Sequence, residues 1–220
     1  LVGYTNSGKS QLLASLTNAL PKISPRPYTT TEPMIGTMNY KGVSAQIVDL
    51  PAIGSKDFDV GLLHTADLIL IIVSKLEDYF SIDKQLERAS SKRLLVVTHA
   101  DLLDTDELRK LDAQLRSKRL NYILVSGKTK AGIQELKDKI FQNMNIIRVY
   151  TKEPGKPVSV IPIVRPAGST VKDIAESIYK GFSKQITETR LTGPSGKFSN
   201  QRIGLDHVLK DKDILEFKTR

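Results

Sequence analysis

Gly3-Tyr-Thr-Asn-Ser-Gly-Lys-Ser10 decides how this chain is read. The stretch fits G-x-x-x-x-G-K-[ST], a loop that wraps a run of phosphates. Gly3 and Gly8 let the backbone bend around a pyrophosphate with no Cβ in the way. Successive N–H groups then point inward at the phosphate oxygens. Lys9 reaches the β- and γ-phosphates, and the Ser10 hydroxyl is placed to ligate Mg²⁺. Asn6, Ser7, Gly8, Lys9, Ser10 and Gln11 are therefore the residues expected to hold a nucleotide here. The run that follows, Gln11 to Leu20, has Leu12, Leu13, Leu16 and Leu20 at helical spacing. That helix would aim its N-terminal dipole at the phosphates. Of the strand that should feed the loop only Leu1 and Val2 are present, and the first residue is not Met, which suggests a fragment.

Composition sets outer limits. With 40% hydrophobic residues in 220, the chain can bury a core, as one large or two modest domains. It has no cysteine, which excludes disulfides, thiolate metal sites and a catalytic thiol. No apolar run approaches the roughly 20 residues of a membrane span, so an intracellular protein without a membrane partner is expected. The net charge is +9. Residues 1–150 hold 20 Lys+Arg and 16 Asp+Glu, whereas residues 151–220 hold 13 and 8. The shorter C-terminal part thus has the denser positive charge, which suits a phosphate backbone as partner.

Downstream of the loop, Tyr28-Thr-Thr-Thr-Glu-Pro-Met-Ile-Gly36 offers several hydroxyls where a nucleotide switch needs one for Mg²⁺. Ser44–Pro51 reads as a buried strand ending in Asp49, an acid suited to hold Mg²⁺ directly or through water. Ala66–Ser74 and Arg93–Asp101 read as strands covered on both faces. Helices are expected over Ser81–Ser91, Asp104–Arg119 and Gly132–Asn143, with a further strand at Tyr122–Ser126. Strands alternating with helices imply a parallel sheet with helices on both faces. Lys152-Glu-Pro-Gly-Lys-Pro157 reads as a boundary. Beyond it come an edge strand at Val158–Val164, a helix opened by a capping box at Thr170-Val-Lys-Asp173, and short strands at Thr189–Leu191 and Ile214–Phe217. The expected division is a nucleotide-binding domain over residues 1–150 and a small α+β module over residues 151–220.

Taken together these stretches resemble the Obg/Drg-type P-loop GTPases (Drg: developmentally regulated GTP-binding protein) with a C-terminal TGS domain. Tyr28-Thr-Thr-x-x-Pro33-x-x-Gly36 resembles the Obg-type switch I, which implies Thr30 as a Mg²⁺ ligand and catalytic participant alongside Lys9. Asp49-Leu-Pro resembles the D-x-P-G station of switch II, with Ala52 at the γ-phosphate. Thr98-His-Ala-Asp101 resembles the guanine reader [NT]-K-x-D, and Ser126-Gly-Lys128 the S-A-K loop that contacts the guanine oxygen. Gly204–Asp213 resembles the end of a Drg TGS domain. The resemblance implies a P-loop GTPase fold plus a ubiquitin-like β-grasp module, GTP/GDP and Mg²⁺ as ligands, and a cytoplasmic switch in translation. Its implied partners are the ribosome or structured RNA, and a regulatory protein. The guanine preference also has a physical basis: a buried carboxylate at Asp101 accepts from guanine's N1–H and exocyclic amine, a donor pair that adenine lacks.

The chain departs from the family pattern at several points. Ala52 replaces a glycine and is expected to restrict the backbone there, His99 replaces a lysine that packs along the P-loop, and Gly127 an alanine whose side chain is expected to matter little. The Gly/Arg-rich switch II is missing between Asp57 and Leu63, and the inserted small domain of Drg proteins is absent. Ile53 stands where many GTPases carry a water-orienting Gln. Asn6 resembles the P-loop asparagine that ligates K⁺ in potassium-dependent GTPases; alternatively it only braces the loop. Three readings remain open: a slow GTPase, a nucleotide-gated RNA or ribosome tether with little hydrolysis, and a P-loop ATPase or kinase in which Asp101 and Ser126 are incidental.

Overall fold

A computed structural model describes residues 1–17 and 32–219 of the protein. In chain order its elements are α1 (Lys9–Leu16), β1 (Met34–Tyr40), β2 (Val43–Asp49), α2 (Gly61–His64), β3 (Leu68–Val73), α3 (Leu76–Gln85), β4 (Lys92–Val97), α4 (Thr105–Ser117), β5 (Tyr122–Leu124), α5 (Ile133–Asn143), β6 (Ile146–Lys152), β7 (Ile163–Pro166), α6 (Val171–Ile178), β8 (Ile186–Thr192), β9 (Gln201–Ile203) and β10 (Ile214–Thr219). They form two compact units, residues 1–40 with 44–144, and residues 41–43 with 145–220.

The first unit is built on three parallel strands in the order β3-β4-β5. Alternate residues point to opposite faces, as a pleated strand requires. Leu70, Ile72, Leu94 and Val96 join Leu12 and Leu16 of α1 and Leu136 and Ile140 of α5 in one core. Ile69, Ile71, Leu95 and Val97 join Ile82 of α3 and Leu115 of α4 in the other. Helices therefore cover both faces, as the apolar runs of β3 and β4 predict. The stub Leu1–Val2 lies beside β3: Val2 N donates to Leu70 O at 2.9 Å, and Ile72 N to Val2 O at 2.7 Å. Leu50 N, just beyond β2, donates to Leu1 O at 3.2 Å. Asp104 caps α4 and accepts from Glu107 N at 2.8 Å, while the Glu107 side chain accepts from Asp104 N.

Several expected boundaries move. The helix after the P-loop starts at Lys9 and is described to Leu16; Leu20 lies outside the described residues. The expected Ser81–Ser91 helix runs Leu76–Gln85 instead, starting five residues earlier with Glu77 and Asp78 in its first turn and ending at Gln85. Strand β1 has no counterpart in the sequence reading. It pairs with β2 through the turn Lys41-Gly42, where both residues have positive φ, 51° and 79°.

The second unit is a five-stranded sheet in the order β7-β6-β10-β8-β9, with β6 parallel to β10 and the other pairs antiparallel. Val171 and Ile174 of α6 pack on Ile147, Val149, Leu191 and Leu215 of that sheet. One helix on a mixed sheet with parallel central strands is the β-grasp arrangement. Thr170 opens α6 with the predicted capping box, its backbone N–H donating to Asp173 at 2.8 Å. The expected division after residue 150 is displaced: β6 pairs with β7 and β10, so the second unit begins at Asn145 and the Pro/Gly run 152–157 is a loop inside it. The Val158–Val164 strand shortens to β7, which begins after Pro162 and lies at the sheet edge. Arg148 is almost fully buried and makes two bonds to Asp211, from Nη2 at 2.6 Å and Nε at 3.0 Å.

Candidate functional site

The P-loop bends because its sequence permits it. Asn6 and Gly8 take left-handed backbone conformations, with φ of 60° and 88°. A Cβ at Gly3 would stand 2.3 Å from the Ile72 carbonyl oxygen, so the loop's entry runs hard against β3 and admits only glycine. Ser7 Oγ closes the turn on Tyr4 O at 2.9 Å. The Lys9 ammonium folds back into the loop and donates to Gly3 O at 3.1 Å and Tyr4 O at 2.9 Å. Burial pushes its pKa down, against the pull of Asp49.

Asp49 ends β2 beside Ser10, whose Oγ donates to Asp49 Oδ2 at 2.7 Å. The acid is fully buried, and its other oxygen, Oδ1, has no hydrogen-bond partner among the described residues. Burial raises its pKa; the Ser10 bond and the Lys9 charge oppose that only in part. A buried, unsatisfied carboxylate oxygen next to a hydroxyl is an oxygen donor set that fits a hard divalent cation such as Mg²⁺. Among the described residues no three His, Cys, Asp or Glu side chains cluster as a metal site.

The two base-loop stretches lie on the other side of the P-loop. Thr98 is buried, and its Oγ1 lies 2.8 Å from Ser7 O and 3.1 Å from Val73 O. It thereby fastens the end of β4 to the P-loop. His99 Nδ1 lies 3.0 Å from Thr98 Oγ1, and its ring edge passes 3.5 Å from the Cβ position of Gly8. Ser126 is buried, and its hydroxyl beside Asp101 holds that acid below the usual carboxylate range. Ser126 Oγ also accepts from Thr129 N at 3.0 Å, which shapes the Gly127–Lys128 turn. These stretches enclose a cavity of about 200 Å³ whose walls include Gly8, Gln11, Thr98, His99, Asp101 and Lys128.

Thr98, His99, Asp101, Gly127 and Lys128, 90 to 120 residues from the P-loop in sequence, thus share one cavity with Gly8 and Gln11. Asp49 and Ser10 meet outside the walls of that cavity. Thr30 lies outside the described residues. Three sequence expectations change. Asp101 is exposed at the cavity rim rather than buried. The alanine-to-glycine difference at Gly127 has a steric consequence, since a Cβ there would press to 2.8 Å on Gln11 Cδ. Ala52 is buried with no positive φ, so the side chain imposes no strain there. Ile53 joins the second core and its N–H donates to Gly3 O at 3.2 Å, which ties this segment to the P-loop. Leu102, which the sequence did not single out, is 72% exposed at the cavity wall. No helix among the described residues is long and apolar enough to cross a membrane.

Comparison with known proteins bears on both units. Residues 1–100 match the family described as 50S ribosome-binding GTPase, and residues 147–219 match the TGS domain. An uncharacterized GTP-binding protein of Methanocaldococcus jannaschii is 27% identical over 97% of this chain and 76% of its own length. Developmentally-regulated GTP-binding protein 1 of Xenopus laevis is 25% identical over 98% of this chain and 80% of its own. That second alignment runs over 295 residues, more than the 220 here, so the relative carries residues inside the matched span that have no counterpart in this chain. Among solved structures, a GTP-binding protein from Pyrococcus horikoshii OT3 superposes with a TM-score of 0.64 at 12% identity, over 100% of this chain and 98% of that one. NFeoB from S. thermophilus, bound to GDP, AlF4⁻ and K⁺, superposes with a TM-score of 0.53 at 25% identity, over 63% of this chain and 58% of that one.

Proposed function

We propose that this chain, which belongs to the Obg/Drg-type P-loop GTPases with a C-terminal TGS domain, hydrolyses GTP to GDP and phosphate as a cytoplasmic switch acting on ribosomes or structured RNA in translation. The observation that carries the nucleotide part is the shared cavity. The cavity is lined by Gly8 and Gln11 and by Asp101, whose carboxyl the Ser126 hydroxyl keeps in the charged form, where a guanine base would offer N1–H and its amine.

In this reading Asn6, Ser7, Gly8, Lys9, Ser10 and Gln11 bind the phosphates and adjacent sugar. Lys9 leaves the carbonyls of Gly3 and Tyr4 for the β- and γ-phosphates, exchanging neutral acceptors for charged ones. Ser10, Thr30 and Asp49, the last through water, hold Mg²⁺, which neutralises charge on the phosphate oxygens. The N–H of Ala52 meets the γ-phosphate, so that Thr30 and Ala52 order their segments with GTP and release them after hydrolysis. Thr98, His99 and Asp101 hold the base from one side, and Ser126, Gly127 and Lys128 from the other.

Ile53 offers no hydrogen bond to a water and lies in the core, so another group must meet the charge that develops between the β- and γ-phosphates. Asn6 suits K⁺: its amide is exposed and makes no hydrogen bond among the described residues. NFeoB, which superposes on this unit, holds K⁺ together with GDP and AlF4⁻. The burial of Ile53 also favours the second reading, a nucleotide-gated tether with little turnover. A regulatory protein partner would then supply what the chain lacks.

The net charge of +5 on residues 151–220 motivates the RNA or ribosome assignment of the TGS domain. Three experiments test the proposal. Titration with GDP, ADP and the corresponding triphosphates should show guanine preference, and equal affinity for adenine nucleotides would overturn the base reading. Single-turnover GTP hydrolysis, with and without ribosomes, separates switch from tether; loss of ribosome or RNA binding on deleting residues 145–220 assigns the docking to that unit, and unchanged binding removes it from there.

A further inference from the structure

Guanine presents two kinds of edge. N1–H and the exocyclic amine donate, and Asp101 answers them. O6 and N7 accept, and in the proposed reading the Gly127 backbone N–H answers O6. N7 needs a donor from the remaining cavity wall.

The polar side chains of that wall are Gln11, Thr98, His99, Asp101 and Lys128. Thr98 has one hydroxyl proton, and two carbonyl oxygens that can only accept lie within 2.8 and 3.1 Å of it. Its proton therefore goes to the carbonyl of Ser7 or Val73 and is not available to the base. With that proton gone to a carbonyl, the 3.0 Å approach of His99 Nδ1 requires Nδ1–H to donate to Thr98 Oγ1. In the neutral ring this leaves Nε2 an acceptor, which cannot serve N7. Asp101 has no proton to give. Lys128 is exposed and its charge acts on Asp101, at the opposite edge of the base.

Gln11 remains. It is half-buried in the first turn of α1, and its carboxamide makes no hydrogen bond among the described residues. A Cβ built on Gly127 would stand 2.8 Å from Gln11 Cδ, 2.9 Å from Cγ and 3.0 Å from Oε1. The Gln11 amide therefore lies against the backbone assigned to O6, and N7 is the atom next to O6 along that edge of a purine. The glycine at 127 and the glutamine at 11 are one arrangement: the missing methyl group is the space the carboxamide fills.

We propose that Gln11 is a base-contacting residue whose carboxamide N–H donates to the purine N7, an inference that rests on the guanine reading of this cavity. Because adenine also carries N7, Gln11 adds affinity for the base, while Asp101 separates guanine from adenine. The two roles can be tested apart.

The experiment is calorimetric titration of the full chain with Mg²⁺ and each of GDP, 7-deaza-GDP and ADP, the second having C–H in place of N7. Wild type should bind 7-deaza-GDP about 3- to 10-fold more weakly than GDP, the worth of one hydrogen bond. Gln11→Ala should lower GDP affinity by about the same factor and bind both guanine nucleotides equally. Gln11→Glu keeps the length of the side chain and turns a carboxylate toward the N7 lone pair, so it should prefer 7-deaza-GDP. Gly127→Ala should also reduce the discrimination, by displacing Gln11. If GDP is preferred to ADP but wild type binds 7-deaza-GDP as tightly as GDP, or if Gln11→Ala keeps the discrimination, the N7 assignment is wrong and the guanine reading stands. If GDP is not preferred to ADP, the guanine reading itself fails.

Discussion

Replacing Asp49 by asparagine removes one charge and keeps the shape of the side chain. In the protein without nucleotide, this acid is fully buried, Oδ1 has no partner among the described residues, and only Ser10 bonds Oδ2. The Ser10 bond and the Lys9 charge favour the carboxylate but do not overcome its burial, and the pKa is raised. A buried unpaired polar group costs about 1–3 kcal/mol, more when charged. Asparagine leaves a smaller, neutral deficit in the same place, so Asp49→Asn should stabilise the nucleotide-free protein by about 1–2 kcal/mol, which is roughly 2–8 °C in melting temperature for a chain of this size. The sign with pH follows from linkage. A carboxyl whose folded pKa lies above its unfolded value holds its proton more tightly when folded. Wild type therefore loses stability as pH rises from the ordinary carboxylate range through the raised folded value, and the loss is complete above it. The gap between variant and wild type should be small near pH 4 and widen to a plateau at higher pH. The assay is thermal unfolding at several pH values without nucleotide or divalent cation, repeated with GDP and Mg²⁺. In the second series wild type should gain a Mg²⁺-dependent increment that the variant lacks. A variant no more stable than wild type at pH 7–8, or a gap that widens toward acid, would refute the account of Asp49 as an uncompensated buried charge.

Three further outcomes follow from other parts of the structure. Asp101→Asn should lower GDP affinity on the order of tenfold and raise affinity for xanthosine diphosphate, because the amide donates where the carboxylate accepted; unchanged GDP affinity by titration counts against the guanine assignment. GTP turnover should be faster in KCl than in NaCl at equal ionic strength, and Asn6→Ala should abolish the difference; stimulation that survives the substitution puts the ion elsewhere. Arg148→Ala should destabilise the second unit by about 1–3 kcal/mol, since it removes charge-assisted bonds to Asp211 from a buried side chain; chemical denaturation of the full chain measures this, and a loss under about 0.5 kcal/mol, the size of an exposed pair, would show that the ion pair is effectively solvated.

What the sequence revealed, and what it hid, divides by the range of the interaction. The P-loop is legible because every position is fixed by a local demand: Gly8 by its backbone angle, Lys9 and Ser10 by phosphate and cation chemistry. The capping box at Thr170 is likewise contained in four residues. Strand β1 was hidden for a specific reason. Its inward positions are Gly36 and Met38, and a Cβ at Gly36 would stand 2.5 Å from Thr17 Oγ1, so one inward residue has no side chain to mark the alternation. Ile35 faces outward at 59% exposure and inverts the pattern. The domain boundary was misplaced because β6 owes its place to β10, more than 60 residues away in sequence, and nothing within β6 announces that pairing. The Pro/Gly run after it was a true turn signal attached to the wrong kind of loop.

The departures from the family pattern looked, in sequence, like separate losses. In space they combine. The ring of His99 lies along the P-loop at Gly8, close enough to occupy the surface that a lysine stem would cover, and its Nδ1 braces the threonine that fastens the base loop. Gly127 gives up a methyl group, and Gln11, on a different element, fills that space. Ala52 keeps its N–H and adopts its backbone angle without strain, while the positive φ of this segment falls two residues on, at Gly54. The departures at His99 and Gly127 are thus each matched by a contact within the same unit, at Gly8 and at Gln11, that links the P-loop to a base-loop segment. A site decaying from lack of use would leave gaps and unpaired groups at such positions. Among the described residues the buried side-chain oxygens left unpaired are Asp49 Oδ1, where the chemistry calls for a cation, and Ser55 Oγ.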